Sequence, residues 1–460
     1  MPTREHKINR TLHCVEITSG EDHTGILSLT ETRIRTTLYS YRVPVYLPPE
    51  RAIFLITEEN DVVSLYNNVA LATSSCSRQV EGWRSIYQQE IGSNIAVVGR
   101  DRWLPNDPVK RVLFFIPSSS RVLVRQAFVD KVKLASSPRH IPIYETAAPN
   151  MILRGFAIPH YSMLMHHAID YDIAFEIEFE QAKRITDYLD HVSCFTHLFS
   201  FSIGSCLSPS LLYVSREPCK NVNARKFSSD NHQCFYTRLD DRRLDAAPHD
   251  HESVITVLDD KDLSGFQECA LAWIRRYDLW RNAYALMAAS LLMNRQLSPE
   301  RLLAACRWFE EIPVEDSRPS ISTQHISVIA SAAITKAREL GYSLEIGNRI
   351  EGSLRHIRTE SHRERFSRLL NAIATRFGAE IIRPSMLEDL CRAVRLRGKV
   401  AHGHFSLGGE ADALELYRAT LAMEALCFML TAHDLPLSET NIRNMKSSRI
   451  LIDYHYTAGP

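Results

Sequence analysis

The apolar residues of this chain change period once, near residue 262, and the two halves therefore demand different layers of secondary structure. Before that point, short runs rich in β-branched and aromatic residues recur at Ala52 to Thr57, Val62 to Tyr66, Ile95 to Val98 and Arg111 to Ile116. Pro48-Pro49, Asn67-Asn68, Pro105-Asn106 and Pro117-Ser118 punctuate them, as turn residues do between strands. The clearest alternation is Asp172 to Glu180. Ile173, Phe175, Ile177 and Phe179 fall on one face, Glu176 and Glu178 on the other, which predicts a strand with one buried and one wet side. Helical spacing follows from Gln181 to Phe201, carried by Ile185, Tyr188, Leu189, Val192 and Phe195, and then a strand at Leu211 to Val214.

After Ser264 the period is 3.6, and start signals are frequent. Ser264 with Gln267, Ser361 with Glu364 and Ser385 with Glu388 fit the capping box, and Ser298-Pro299 fits an N-cap with proline at the first helical position. Helices are expected near 265–294, 299–311, 321–340, 362–377, 386–401 and 410–432. The fold class is α+β, with a β-rich domain over 1–215, a polar connector over 216–262, an all-α domain over 263–440 and a tail over 441–460.

Composition narrows the function. With 54 basic and 54 acidic residues the net charge is +0, so any nucleic-acid site must be a local patch. The apolar run from Ala285 to Met293 is far shorter than the ~20 residues that span a bilayer. Met1 to Arg10 is polar with no apolar stretch behind it, and the 10 cysteines show no Cys-x-x-Cys pair. A cytoplasmic protein with free thiols and no membrane contact is expected.

One segment carries the kit for chemistry: Cys391 to Phe405, CRAVRLRGKVAHGHF, at the end of a capped helix that Gly403 terminates. Arg397 supplies a permanent charge and a bidentate fork for a phosphate. His402 can take or give a proton near neutral pH. Together they could move the protons of a 2′-hydroxyl and its leaving group and stabilise the phosphorane between them, without a metal or another cofactor. Arg395, seven residues before His402, is the reserve arginine, and His404 and Lys399 are auxiliaries. From Arg349 to His402 there are 12 Arg or Lys against 6 Asp or Glu, net +6, and Arg392 and Arg395 are the expected RNA contacts. The bland alternative is a helix end whose His402 caps and whose arginines make surface ion pairs.

An Arg-x4-His at the end of a late helix, followed by glycine in a closing all-α domain, resembles the HEPN superfamily, with RGKVAHG its most specific element. The whole chain resembles the ApeA family of anti-phage proteins, and DYDIAFEIEFEQAKRITDYL at Asp170 to Leu189 is similar to that family's N-terminal domain. The resemblance implies a metal-independent endoribonuclease with Arg397 and His402 catalytic. It implies RNA (tRNA among the candidates) as substrate, a phage-derived trigger at the N-terminal domain, and a homodimer through the HEPN domain. Gly398 stands where active members commonly carry a polar residue. A degenerate HEPN module that binds nucleotide, RNA or a partner without cleaving is the alternative.

Cys219, His232, Cys234, His249 and His251 are zinc-ligand types without tight zinc spacing, so a zinc-dependent nuclease ranks third and no metal is expected. Tyr277, Trp280, Trp308 and Phe309 read as core rather than a stacking platform. Glu310 and Glu311 end the same helix, with nothing to separate a structural acid from a functional one.

Overall fold

The computed structural model describes residues 10–18, 23–30, 33–40, 51–76, 86–123, 141–161, 168–218, 232–236, 253–258, 260–293, 296–313, 321–357, 360–406 and 408–457. The chain forms two compact units, Met1–Arg275 and Arg276–Pro460.

In the first unit, β1 (Arg10–Glu16), β2 (His23–Leu29), β3 (Ile34–Ser40), β4 (Ile53–Thr57), β5 (Val62–Cys76) and β6 (Ile86–Gly99) close into an antiparallel barrel, sealed where β3 pairs with β6. Strict alternation drives this: Leu12 and Cys14, Leu27 and Leu29, and Ile34 and Leu38 point inward beside Leu55, Leu65 and Ile91. The far half of β6 continues the sheet through β12 (His232–Tyr236), β11 (Leu211–Ser215), β7 (Val109–Phe115), β10 (Ala168–Lys183), β9 (Met151–Tyr161) and β8 (Ile141–Ala148). Asn150, at φ 62°, makes the two-residue turn from β8 to β9.

Helix α1 (Leu189–Ile203) lies on this sheet, with Phe195 and Phe199 against Phe175. Helix α2 (Asp260–Arg275) adds Phe266, edge-on to Tyr144, and Trp273, whose indole N–H donates to the Cys194 carbonyl at 3.0 Å.

Three expectations are corrected here. The acid-bearing face of β10 is not wet: Glu176 is buried and takes Arg154 at 2.9 Å and Arg111 at 3.4 Å, while Arg154 also reaches Glu178 at 2.6 Å and Glu145 at 2.8 Å. Burial pushes the Glu176 carboxyl up against the lowering by the two arginines. The span read as a polar connector supplies β12 and a buried stretch in which Val254, Ile255 and Val257 are covered, because its brief apolar islands find sheet and helix partners. Ser264 lies inside α2 rather than capping it, its hydroxyl bonded to the Lys261 carbonyl, so the first helix of the 3.6-period half belongs to the first unit.

The second unit is all helical. The expected helix over 265–294 breaks at Arg276 (φ −92°, ψ 0°), whose guanidinium lies 4.2 Å from the Trp280 ring and donates to the Thr431 carbonyl at 2.7 Å. Then come α3 (Tyr277–Leu292), α4 (Pro299–Glu311), α5 (Thr323–Glu339), α6 (Leu344–Ile357), α7 (His362–Phe377), α8 (Met386–Ala401), α9 (Glu410–His433), α10 (Glu439–Lys446) and α11 (Arg449–Thr457). Helix α6 was not expected, and 441–460 is not a tail. Leu451 and Tyr454 of α11 are buried, because that helix packs on α9.

Helix α9 is apolar nearly all round and forms the centre of the unit, as a helix with no polar face must. Its one deep charge, Glu424, is answered by Arg301 of α4 in a fork at 2.9 and 2.6 Å, with Ser290 of α3 donating at 2.8 Å. Tyr277, Trp280, Trp308 and Phe309 are buried, as core residues should be.

Candidate functional site

Helix α8 buries Met386, Asp389, Leu390, Ala393 and Leu396. Arg397, four residues after Ala393, continues that inward face at the helix end. Its Nη2 lies 2.7 Å from Glu310 Oε1 of α4, and both side chains stay near two-fifths exposed. One turn back on α4 is Cys306, a buried thiol that desolvation pushes up to about 12; Arg397 pulls it down and Glu310 pushes it up. Sequence alone did not separate Glu310 from Glu311; helix packing selects Glu310.

The end of α8 is a Schellman motif. Gly403 sits at φ 70° and donates its N–H to the Val400 carbonyl at 3.1 Å, while the His404 N–H reaches the Lys399 carbonyl at 2.9 Å. Glycine is favoured here, since most side chains are strained at this φ. The motif places His402 at the C-cap and His404 just beyond, both exposed, with ring centroids 6.5 Å apart. Gly398 faces open space.

The other site residues separate by their surroundings. Arg395 and Lys399 are exposed on the turn leading to His402. Arg392 is engaged by Asp389 at 3.2 Å and by Glu415 at 3.1 Å. Much of the positive stretch before α8 is likewise occupied. Arg363 pairs with Glu388 at 2.7 Å, Arg368 forks onto Glu360, and Arg376 and Arg383 donate to carbonyls of Leu435 and His455. These arginines are held by partners within the unit, and on α8 itself the exposed cations are Arg395 and Lys399.

Of the zinc-type residues, His232 lies on β12 with its ring against Trp103, and Cys234 has its sulfur 2.8 Å from the Tyr188 hydroxyl. Cys219, His249 and His251 lie outside the described residues. Among the described residues no group of His, Cys, Asp and Glu is gathered as metal ligands are. Sequence reading missed the Arg301–Glu424 pair, although a lone acid inside LAMEALCFML was a usable signal. No described helix is long and apolar enough to cross a membrane.

Residues 16–267 match the family model described as ApeA N-terminal domain 1. No curated protein and no solved structure matches the chain.

Proposed function

The chain belongs to the ApeA family, and from that premise we propose that it is an anti-phage defence protein whose helical unit is a metal-independent HEPN endoribonuclease acting through Arg397 and His402. The observation that carries the reading is the end of α8. Packing holds an arginine at the rim of the core, and a glycine-terminated turn presents a histidine five residues later.

In this chemistry a general base takes the proton of a ribose 2′-hydroxyl, and its oxygen attacks the adjacent phosphorus. The bond from phosphorus to the 5′-oxygen breaks, that oxygen takes a proton, and a 2′,3′-cyclic phosphate remains. His402 serves the proton transfers, and Arg397 answers the charge that builds on the phosphoryl oxygens. Glu310 orients Arg397 before RNA arrives, and a half-exposed pair is weak enough for a phosphate to displace. Arg395 and Lys399 guide the backbone toward the site, with His404 beside His402. The first unit senses a phage-derived trigger. Two copies face one another, because one arginine and one histidine make a thin active site.

The second reading, a HEPN module that binds RNA or a partner without cutting it, is favoured by Gly398 and by the carboxylate already on Arg397. The test is purified protein with total RNA in chelator, with and without lysate from phage-infected cells. Cleavage that survives chelation and is lost in His402→Ala supports the enzyme. RNA left intact under both conditions supports the binding module, and cleavage silenced by chelator supports a metal-dependent nuclease.

A further inference from the structure

Helix α8 buries a carboxylate on its inner face and leaves apolar side chains beside that face half covered. Asp389 is 3% exposed, in line with Leu390, Ala393 and Leu396. Leu387, Cys391 and Val394 are only partly buried. At about 100° per residue, these three lie on the flank of the stripe away from Asp389. Hydrophobic burial by itself would turn α8 toward that flank and lift Asp389 out to water. Apolar contacts have no preferred direction, so they do not oppose such a turn.

What holds the observed rotation is polar. Tyr454 of α11, 1% exposed, donates its hydroxyl to Asp389 Oδ2 at 3.3 Å, and Arg392 Nη1 meets Oδ1 at 3.2 Å. Tyr454 is itself tied to the chain entering α8. The Ser385 side chain hydrogen-bonds it, and Arg383 donates to its carbonyl at 3.3 Å and to that of His455 at 2.7 Å. Burial, with the Asp389 carboxylate beside it, pushes the Tyr454 phenol up, so the hydroxyl remains a donor. A buried polar contact in an apolar seam specifies register, because a slipped arrangement leaves it unpaired. Arg397 lies about two turns beyond Asp389 on the same helix. A rotation that frees Asp389 therefore carries the guanidinium off Glu310.

We propose that Asp389 and Tyr454 are positioning residues, a polar pin that sets the rotation of α8 and so brings Arg397 to Glu310. Its consequence for catalysis rests on the ribonuclease reading above; its geometric part stands without that reading.

The test is made on the full chain. Asp389→Leu removes the pin and keeps an apolar contact, while Ser385 still bonds Tyr454 and Glu415 still holds Arg392 at 3.1 Å. Replacing buried ionic groups by apolar ones is often neutral or stabilising, so the melt should stay at or above wild type. Single-turnover cleavage of total RNA, with lysate of phage-infected cells present, should slow on the order of 10–10²-fold with RNA affinity unchanged, as a small misplacement of a reacting group does. Asp389→Asn keeps an acceptor for Tyr454 and should restore most of the rate. Tyr454→Phe should slow the reaction in the same way and add nothing to Asp389→Leu. Crystal structures of wild type and Asp389→Leu give a readout free of activity: Arg397 should lie on Glu310 in the first and away from it in the second.

An Asp389→Leu protein that cuts at the wild-type rate, or whose Arg397 still meets Glu310, overturns the proposal. So does a rate that falls only in step with the melt, or an Asp389→Asn variant as slow as Asp389→Leu. If Asp389→Leu does not fold, Tyr454→Phe set against Asp389→Asn carries the same comparison. A wild type that never cuts RNA, with the two crystal structures differing as stated, removes the ribonuclease and upholds the pin. Cutting with no difference between the two structures does the reverse.

Discussion

Arg395 and Arg397 stand two positions apart on α8, and the helix sends them to different surroundings. Arg397 continues the buried stripe and meets Glu310, while Arg395 is exposed. In the sequence both were credible partners for His402, and Arg395, seven residues away, had the better helical phase. What decides is the phase of the core stripe, which depends on what α4 and α11 place against α8. Three substitutions separate the roles. Arg397→Ala should lower single-turnover RNA cleavage on the order of 10²–10³-fold, and Arg397→Lys should recover little, because a point charge does not replace a fork. Arg395→Ala should leave turnover near wild type and reduce RNA affinity and its salt dependence. Because the Arg397–Glu310 pair is half exposed, Arg397→Ala should shift the melt by no more than about 1 kcal/mol. Arg395→Ala proving worse than Arg397→Ala would exchange the two assignments.

At the scale of the element, helix starts were legible where the cap is a contact between neighbours in sequence. Ser361 accepts from the Glu364 N–H at 3.3 Å and donates its own N–H to the Glu364 carboxylate at 2.8 Å, as the spacing says. Ser298 likewise caps α4. The same pattern at Ser385 and Glu388 makes no cap. Glu388 is taken by Arg363, the Ser385 side chain hydrogen-bonds Tyr454, and Ser385 itself is already helical at φ −79°, ψ −11°. Tertiary partners outbid a local bond worth about 1 kcal/mol. Ser361→Ala should therefore cost the helical unit about 1 kcal/mol in urea unfolding through the lost cap. Ser385→Ala should cost no cap energy, and with Tyr454→Phe it should be non-additive, because those two share one contact. Equal and additive losses at Ser361 and Ser385 would show that both cap.

At the scale of the whole molecule, burial on the sheet sets a pH dependence that composition does not show. His197 of α1 is held down to about 4 by burial, against an ordinary 6.5. An unfolded chain takes up a proton there as pH falls through 6.5, and the folded chain does not until near 4. The folded state is therefore fully favoured above 6.5 and loses ground between 6.5 and 4. Calorimetry of the full chain should show a loss of about 2 kcal/mol at pH 5 relative to pH 7 from this residue, absent in His197→Gln; an unchanged pH slope in that variant would sink the assignment. The sequence by itself determined the α+β class, the helices over 299–311, 362–377 and 386–401, and the glycine that ends α8, since periodicity, caps and left-handed turns are contacts within a few residues. The tertiary structure alone decided the closure of β3 onto β6, the burial of the β10 acids under Arg154, the boundary at Arg275, and the meeting of Arg397 with Glu310. Each of these joins residues far apart in the chain, and their affinity for one another exists only once packing has removed water and fixed the distance between them.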